Sequence, residues 1–195
     1  MANTNAPAGF QACTSFGVAY TPPLMRVAFA AGDSVAAFKG SMVILTGAVD
    51  TDGVTPVVTV AATTDDKLAG AVQSFDPQRA GNWSTYYKPA STRMYAYIPR
   101  DPRCLYMIQE DSVGGNIPVA TAIGQNCNFT TEVGNTITGV STEQLDSSTA
   151  ANTATLPLRL VQPINRADND PTSAGSNGGW IVSLNLSDIT TLEGT

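Results

Sequence analysis

The side chains that could do chemistry in this 195-residue sequence are a scatter of carboxylates, three cysteines and a run of aromatics; histidine is absent. Without imidazole, no side chain has an unperturbed pKa near neutrality, which excludes the His-based triads and removes the commonest transition-metal ligand. Glycoside hydrolysis stays chemically open, because it needs only two carboxyl groups facing each other across a cleft. Glu110, Asp111, Glu132 and Glu143 are the candidates, and nothing in their spacing selects a pair. Neither a GxSxG nor an SxxK nucleophile motif occurs, and no GxxxxGK[ST] loop is present to cradle phosphates. The expectation is a protein with no catalytic residues and no cofactor.

Three acidic pairs, Asp50/Asp52, Asp65/Asp66 and Asp168/Asp170, invite a metal test, since hard cations take oxygen ligands grouped on a loop. Asp50-Thr51-Asp52-Gly53 opens like a calcium loop. Residues 54–61 then run on as an apolar strand with no carboxylate to complete the shell, so the motif reads as a turn and no metal site is expected. Cys13, Cys104 and Cys127 are odd in number and far apart, which fits neither a disulfide framework nor a zinc knuckle; buried free thiols are expected. Trp83, Tyr86, Tyr87, Tyr95, Tyr97 and Tyr106 crowd the middle third. They suit a sugar-stacking platform, sheet-face packing or a protein interface, where Tyr and Trp combine contact area with a polar handle.

Ten basic against sixteen acidic residues give a net charge of −6, and there is no Lys/Arg run to release counterions from phosphates, so nucleic acid is not an expected partner. The longest apolar stretches, such as Met42-Val43-Ile44-Leu45, fall far short of the ~20 residues that cross a bilayer. The opening MANTNAPAGF has neither a basic nor an apolar signal region, so synthesis in the cytoplasm is expected and the sequons at Asn82, Asn128 and Asn185 read as chance matches. Charged residues make up only 13% of the chain, which leaves Ser, Thr, Asn and Gly to supply the polarity. Those residues disfavour helices, whereas the accompanying Val, Thr, Ile and Tyr fit a pleated surface. The fold class expected is all-β.

The elements that must position these groups are short. Residues 1–26 read as an extended arm, with Phe10, Phe16 and Tyr20 irregularly spaced ahead of the Pro22-Pro23 stiffener, lying against the chain's own body or a neighbouring subunit. Residues 27–195 read as a single β body. Strands are expected at 41–49, 56–61, 68–75, 93–98, 104–109, 129–133, 136–140, 155–161 and 180–186, with turns at Asp50–Gly53 and Gly134-Asn135. Met94, Ala96 and Ile98 fall on one face and Tyr95 and Tyr97 on the other; Trp180, Val182, Leu184 and Leu186 likewise share a face. Pro157 cannot donate to a ladder, so its strand is expected at an edge or beside a bulge. The Ser/Thr-rich segment 141–154 reads as a helical turn or an ordered loop, and 166–179 as a flexible loop. Strands at about ten-residue spacing describe a sandwich or barrel.

Four stretches carry a resemblance: the opening Met1–Phe10, Asp66–Phe75 (DKLAGAVQSF), Arg93–Asp111 (RMYAYIPRDPRCLYMIQED) and Thr142–Asp170, which contains LDSSTAA and TLPLRL. Through them the chain resembles, from end to end, the capsid cement or decoration proteins of tailed bacteriophages, small structural proteins encoded beside the major capsid protein. The resemblance implies a β-barrel or β-tulip-like body on the outside of the capsid in the virion, a homo-trimer or homo-dimer on the lattice, the major capsid protein as partner, and no catalytic residues. Capsid or subunit contacts are expected on the arm, at Phe10, Phe16 and Tyr20, and on the aromatics Trp83, Tyr86 and Tyr87. A phage-displayed carbohydrate- or receptor-binding β module is the alternative.

Overall fold

A computed structural model describes residues 3–14, 22–63, 67–76, 86–113, 115, 117, 119–170 and 177–189. Among them the chain forms two six-stranded β-sheets and one four-residue helical turn, α1 (Val119–Ala122). The first sheet is antiparallel throughout and runs β1 (Gln11–Cys13), β8 (Leu105–Gln109), β12 (Gly179–Leu184), β11 (Leu158–Pro163), β9 (Asn126–Thr130), β10 (Gln144–Ala151). The second runs β5 (Leu68–Ala71), β3 (Met42–Val49), β4 (Pro56–Val60), β2 (Leu24–Phe29), β7 (Met94–Pro99), β6 (Ser74–Phe75), with β2 and β4 its parallel pair. The molecule is all-β and sandwich-like, and neither sheet closes into a barrel.

Alternation along the strands builds the core. Tyr106, Ile108, Phe129, Leu145, Leu158, Leu160, Trp180 and Val182 of the first sheet pack with Met42, Leu68 and Ala71 of the second, all buried. Burying side chains of this size contributes about 1.5–3 kcal/mol each. The second sheet also curls around an aliphatic cluster of its own, formed by Val27, Phe29, Val43, Val58, Ala96 and Ile98. Its two ends come together where Gly70, at φ +147°, lies against the Pro99 carbonyl with no room for a Cβ, and where the Gln73 amide donates to the Tyr97 carbonyl at 2.9 Å. That crossing breaks the expected 68–75 strand into β5 and β6, because Val72 is bonded to the β3 side, through Ser41, while Gln73 turns to β7.

Four other expectations are corrected. The 141–154 segment is a strand, β10: Gln144, Leu145 and Ser147 are buried, while Ser148 and Thr149 turn their hydroxyls back onto Asp146 at a bulge instead of breaking the ladder. Pro157 does not mark an edge. It sits just before β11, an interior strand that carries the expected bulge, between Leu160 and Gln162, and its carbonyl accepts from both Asn185 and Leu186, so the edge alternative alone is corrected. The segment 129–133 keeps only Phe129 and Thr130 in a strand. The 136–140 segment is a turn, because the Asn135 side chain caps the amides of Ile137 and Thr138.

The arm divides. Residues 3–13 lie on the chain's own body as a strap: β1 pairs with β8, and the Gln109 side chain accepts from the Ala6 amide and donates to the Thr4 carbonyl. Phe10 is fully buried, edge-on to Tyr106 at 6.0 Å and to Phe129 at 5.5 Å between ring centroids. At the other end of the expected arm, β2 already begins at Leu24, so the second sheet takes in residues 24–26.

Candidate interaction surface

A turn between β9 and β10 presents apolar side chains to solvent. The Asn135 amide donates to the Val140 carbonyl at 2.9 Å and Gly139 donates back to Asn135 at 2.8 Å, while the Asn135 Oδ1 accepts from Ile137 at 2.8 Å and Thr138 at 3.1 Å. Gly139 at φ +70° lies flush on the Tyr86 backbone, and Gly134 lies flush on the Phe38 ring. The base of the turn is stitched to the body by Lys39, whose amide donates to Gly139 and whose carbonyl accepts from Ser141. The result is a stiff projection on which Val133 and Ile137 are each 84% exposed, with Tyr86, 65% exposed, beside it. An exposed apolar group on a loop with every turn of its backbone bonded costs little entropy to dock.

The floor under Tyr86 is equally fixed. Ala37 and Lys88 exchange backbone hydrogen bonds at 3.0 and 2.8 Å, and Tyr87 stacks on Phe38 with 4.9 Å between centroids and 9° between planes. Lys88 is fully buried; its ammonium donates to the carbonyls of Asp33 (2.8 Å) and Val35 (2.6 Å) and lies 3.4 Å from the Asp33 carboxylate. Burial pulls the Lys88 pKa down, and Asp33 pulls it back up. A buried ammonium with three oxygen neighbours locks the 33–35 loop to the 86–88 segment.

Of the contact residues expected from sequence, Tyr86 belongs to this surface and Tyr87 to its half-buried base. Phe10 does not: its ring fills the chain's own core. Phe16, Tyr20 and Trp83 fall outside the described residues. The middle-third tyrosines do not form one platform. Tyr106 is interior, while Tyr95 takes the Arg26 guanidinium over its ring at 3.6 Å and donates to Asp50 at 2.7 Å. Sequence reading missed Val133 and Ile137 because β-branched residues at that spacing look like strand; the signal that could have found them is Asn135 two residues before Ile137, with Gly139 behind it.

Three of the four carboxylates considered for hydrolysis, Glu110, Asp111 and Glu143, are engaged in the fold. Glu110 is fully buried, accepting from the Ile117 amide at 2.8 Å and the Gly178 amide at 3.0 Å; burial pushes its pKa up and those amides draw it down. Glu143 accepts from the Met42 amide at 3.0 Å, and burial pushes its pKa up to about 8. Asp111 holds the Ser147 amide and hydroxyl, and Glu132 is exposed on the approach to the turn. At the Asp50–Gly53 turn, Asp52 accepts from the amides of Val54 and Thr55 and from the Thr55 hydroxyl, while Asp50 pairs with Arg93. All three thiols are buried, and burial raises Cys13 and Cys127 to about 12.

A groove of about 310 Å³ runs between the strap, the end of β8 and the 164–170 turn. Its polar lining is mostly amide: Asn3, Gln11, Gln109, Asn169 and Asn177. Asn169 is committed to the Ile164 and Gly179 carbonyls and Gln109 to Thr4 and Asn177. The described lining contains no aromatic ring for a sugar to stack on, and Asp168, its carboxylate, is paired with Arg166 at 2.9 Å. No family model matches this chain, and no curated protein or solved structure matches it.

Proposed function

We propose that the protein is a viral structural protein that binds the outer surface of a phage capsid and stabilises the expanded shell by bridging its subunits, with the major capsid protein as partner and with copies of itself, as trimer or dimer, on the lattice. The observation that carries this reading is the 133–140 turn, bonded to the body at its base and holding Val133 and Ile137 84% exposed. The sequence resemblance supplies the partner. A rigid body contributes to a shell by adding interface that disassembly must break, and many modest contacts reinforce one another once each copy is held near its neighbours. The carboxylate placements described above support a role without a catalytic step.

Cosedimentation with expanded capsids that lack the protein tests the reading. The wild type is expected to pellet with the shells. Removing one apolar anchor of Ile size from an interface costs about 1.5–3 kcal/mol, or roughly 10- to 150-fold in affinity. Ile137→Asp combined with Val133→Asp is therefore expected to stay in the supernatant while melting like wild type, since both side chains lie in water in the free protein. Failure of the wild type to cosediment would end the proposal. Undiminished binding by the double variant would move the contact elsewhere.

A further inference from the structure

The strap is held at a seam that encloses an acid. Gly9, at φ +61°, lies so close to the loop beneath it that a Cβ would stand 2.6 Å from the Gly40 carbonyl oxygen and 2.7 Å from the Ser141 Cβ. The Gly40 carbonyl accepts from the Phe10 amide at 2.9 Å, which anchors the ring that enters the core. Ser141 and the two residues that follow Gly40 hold Glu143. The Ser141 hydroxyl accepts the Glu143 amide at 3.2 Å, and the Glu143 carboxyl bonds to the Met42 amide and the Ser41 side chain, directly after Gly40. Glu143 is 2% exposed.

Among the described residues nothing stands beside Glu143 to neutralise a charge there. Ser41 and Met42 on the β3 side, Ser141 on the turn, Gln144 on β10, and Gly9 and Phe10 on the strap are all uncharged; Lys39 is exposed, and Glu110, itself an acid, lies beyond Gln144, whose amide donates to its carbonyl. No charged side chain contributes to the raised pKa of Glu143. An unpaired carboxylate in such a site is several kcal/mol out of place, so the group keeps its proton or the site opens to water.

We propose that Glu143 is a proton-controlled latch for the N-terminal strap: with its proton it stays shut under the Gly9–Gly40–Ser141 seam, and on losing it the seam admits water and residues 3–13 lift from the body. The direction follows from linkage. The closed form holds the proton up to about pH 8, whereas an open, hydrated carboxyl loses it near its ordinary value of 4.5. Opening is therefore favoured about tenfold per pH unit between those limits, and levels off above them.

Amide hydrogen exchange of the full chain, corrected for intrinsic rates, tests this. The Phe10 amide is expected to lose protection about tenfold per unit from pH 6 to pH 8 and then level off, and to be less protected at every pH than the Val182 amide in the middle of β12, which exchanges only when the whole fold opens. Glu143→Gln is expected to flatten the Phe10 profile. The proposal is overturned if Phe10 protection in the wild type is independent of pH, if Phe10 is as fully protected as Val182 throughout, or if the Gln variant keeps the wild-type profile. Should that variant not fold, the side-chain carbon shift of Glu143 in the wild type decides: titration near 8 supports the latch, and titration near 4.5 removes it.

Discussion

At the strap seam, Glu143 and Glu110 are shut away from water and hold backbone amides in the interior; at the far end of the curled sheet, Asp50 and Asp52 shape the tip of the β3–β4 hairpin, where Thr51, Asp52, Gly53 and Val54 are exposed. The two regions use the same functional group and shift it in opposite senses. Burial raises the seam acids, whereas the Arg93 side chain, with Tyr95, lowers Asp50, and the Thr55 hydroxyl and amide bring Asp52 to about 2. Beneath the seam lie Phe10, Tyr106 and Phe129; around the hairpin tip the described residues make hydrogen bonds, the Asp50–Arg93 ion pair and the Arg26 and Arg93 contacts with the Tyr95 ring. The contrast teaches that a carboxyl's weight in this fold is set by what surrounds it, since Coulomb attraction in water is weak and desolvation in a core is not.

Truncating the seam should do the most damage. Phe10→Ala removes a fully buried ring with two edge-on partners, so urea denaturation should record a loss of about 3–5 kcal/mol; a loss under 1 kcal/mol would mean that the strap does not complete the core. Next comes the pH dependence of the whole fold. Because the folded pKa of Glu143 is raised, its contribution is fully present below about 4.5 and declines as pH rises towards about 8. Denaturation midpoints should therefore be higher at pH 5.5 than at pH 8, with a limiting slope of about 1.4 kcal/mol per unit, and a midpoint that rises over that interval would refute the assignment. The hairpin acids predict the reverse sign in a separate window: the lowered pKa values of Asp50 and Asp52 make their contribution present above about 4 and lost as pH falls through the folded value, about 2 for Asp52.

Smaller still is the effect of breaking the tip itself. Arg93→Ala should shift the midpoint marginally, and less in high salt, because the guanidinium it removes is solvated. A loss comparable to Phe10→Ala would erase the distinction between the regions. EDTA should leave melting unchanged, since the oxygens of Asp50 and Asp52 are already engaged by Arg93, Tyr95 and Thr55; a clear fall in midpoint would restore the turn as a cation site.

Much of the strand layout was legible in the sequence, because a half-buried strand writes its burial in a period of two. Met94, Ala96 and Ile98 are buried while Tyr95 and Tyr97 face the other way, as the alternation requires. What escaped were places where a side chain acts on backbone across local sequence. Ser147 to Thr149 look like loop until Asp111 and Asp146 are seen to satisfy them, and Thr136 to Val140 look like strand until Asn135 is seen to cap the turn. The contact residues fared similarly. Tyr86 is exposed, but an extended segment with a phenylalanine looks the same whether it meets a neighbour or, as Phe10 does, its own core. No pattern within ten residues could reveal that Glu143 reaches Met42, next to the Gly40 carbonyl on which Gly9 rests.

The Phe10 ring has a temporal consequence. It emerges from the ribosome roughly a hundred residues ahead of Tyr106 and Phe129, and at translation speeds of about 5–20 residues per second it waits for seconds with no slot to enter. Long-range closures of this kind slow folding. The strap is thus synthesised before the pocket for its ring exists, and it can seat only when strands made far downstream have already joined.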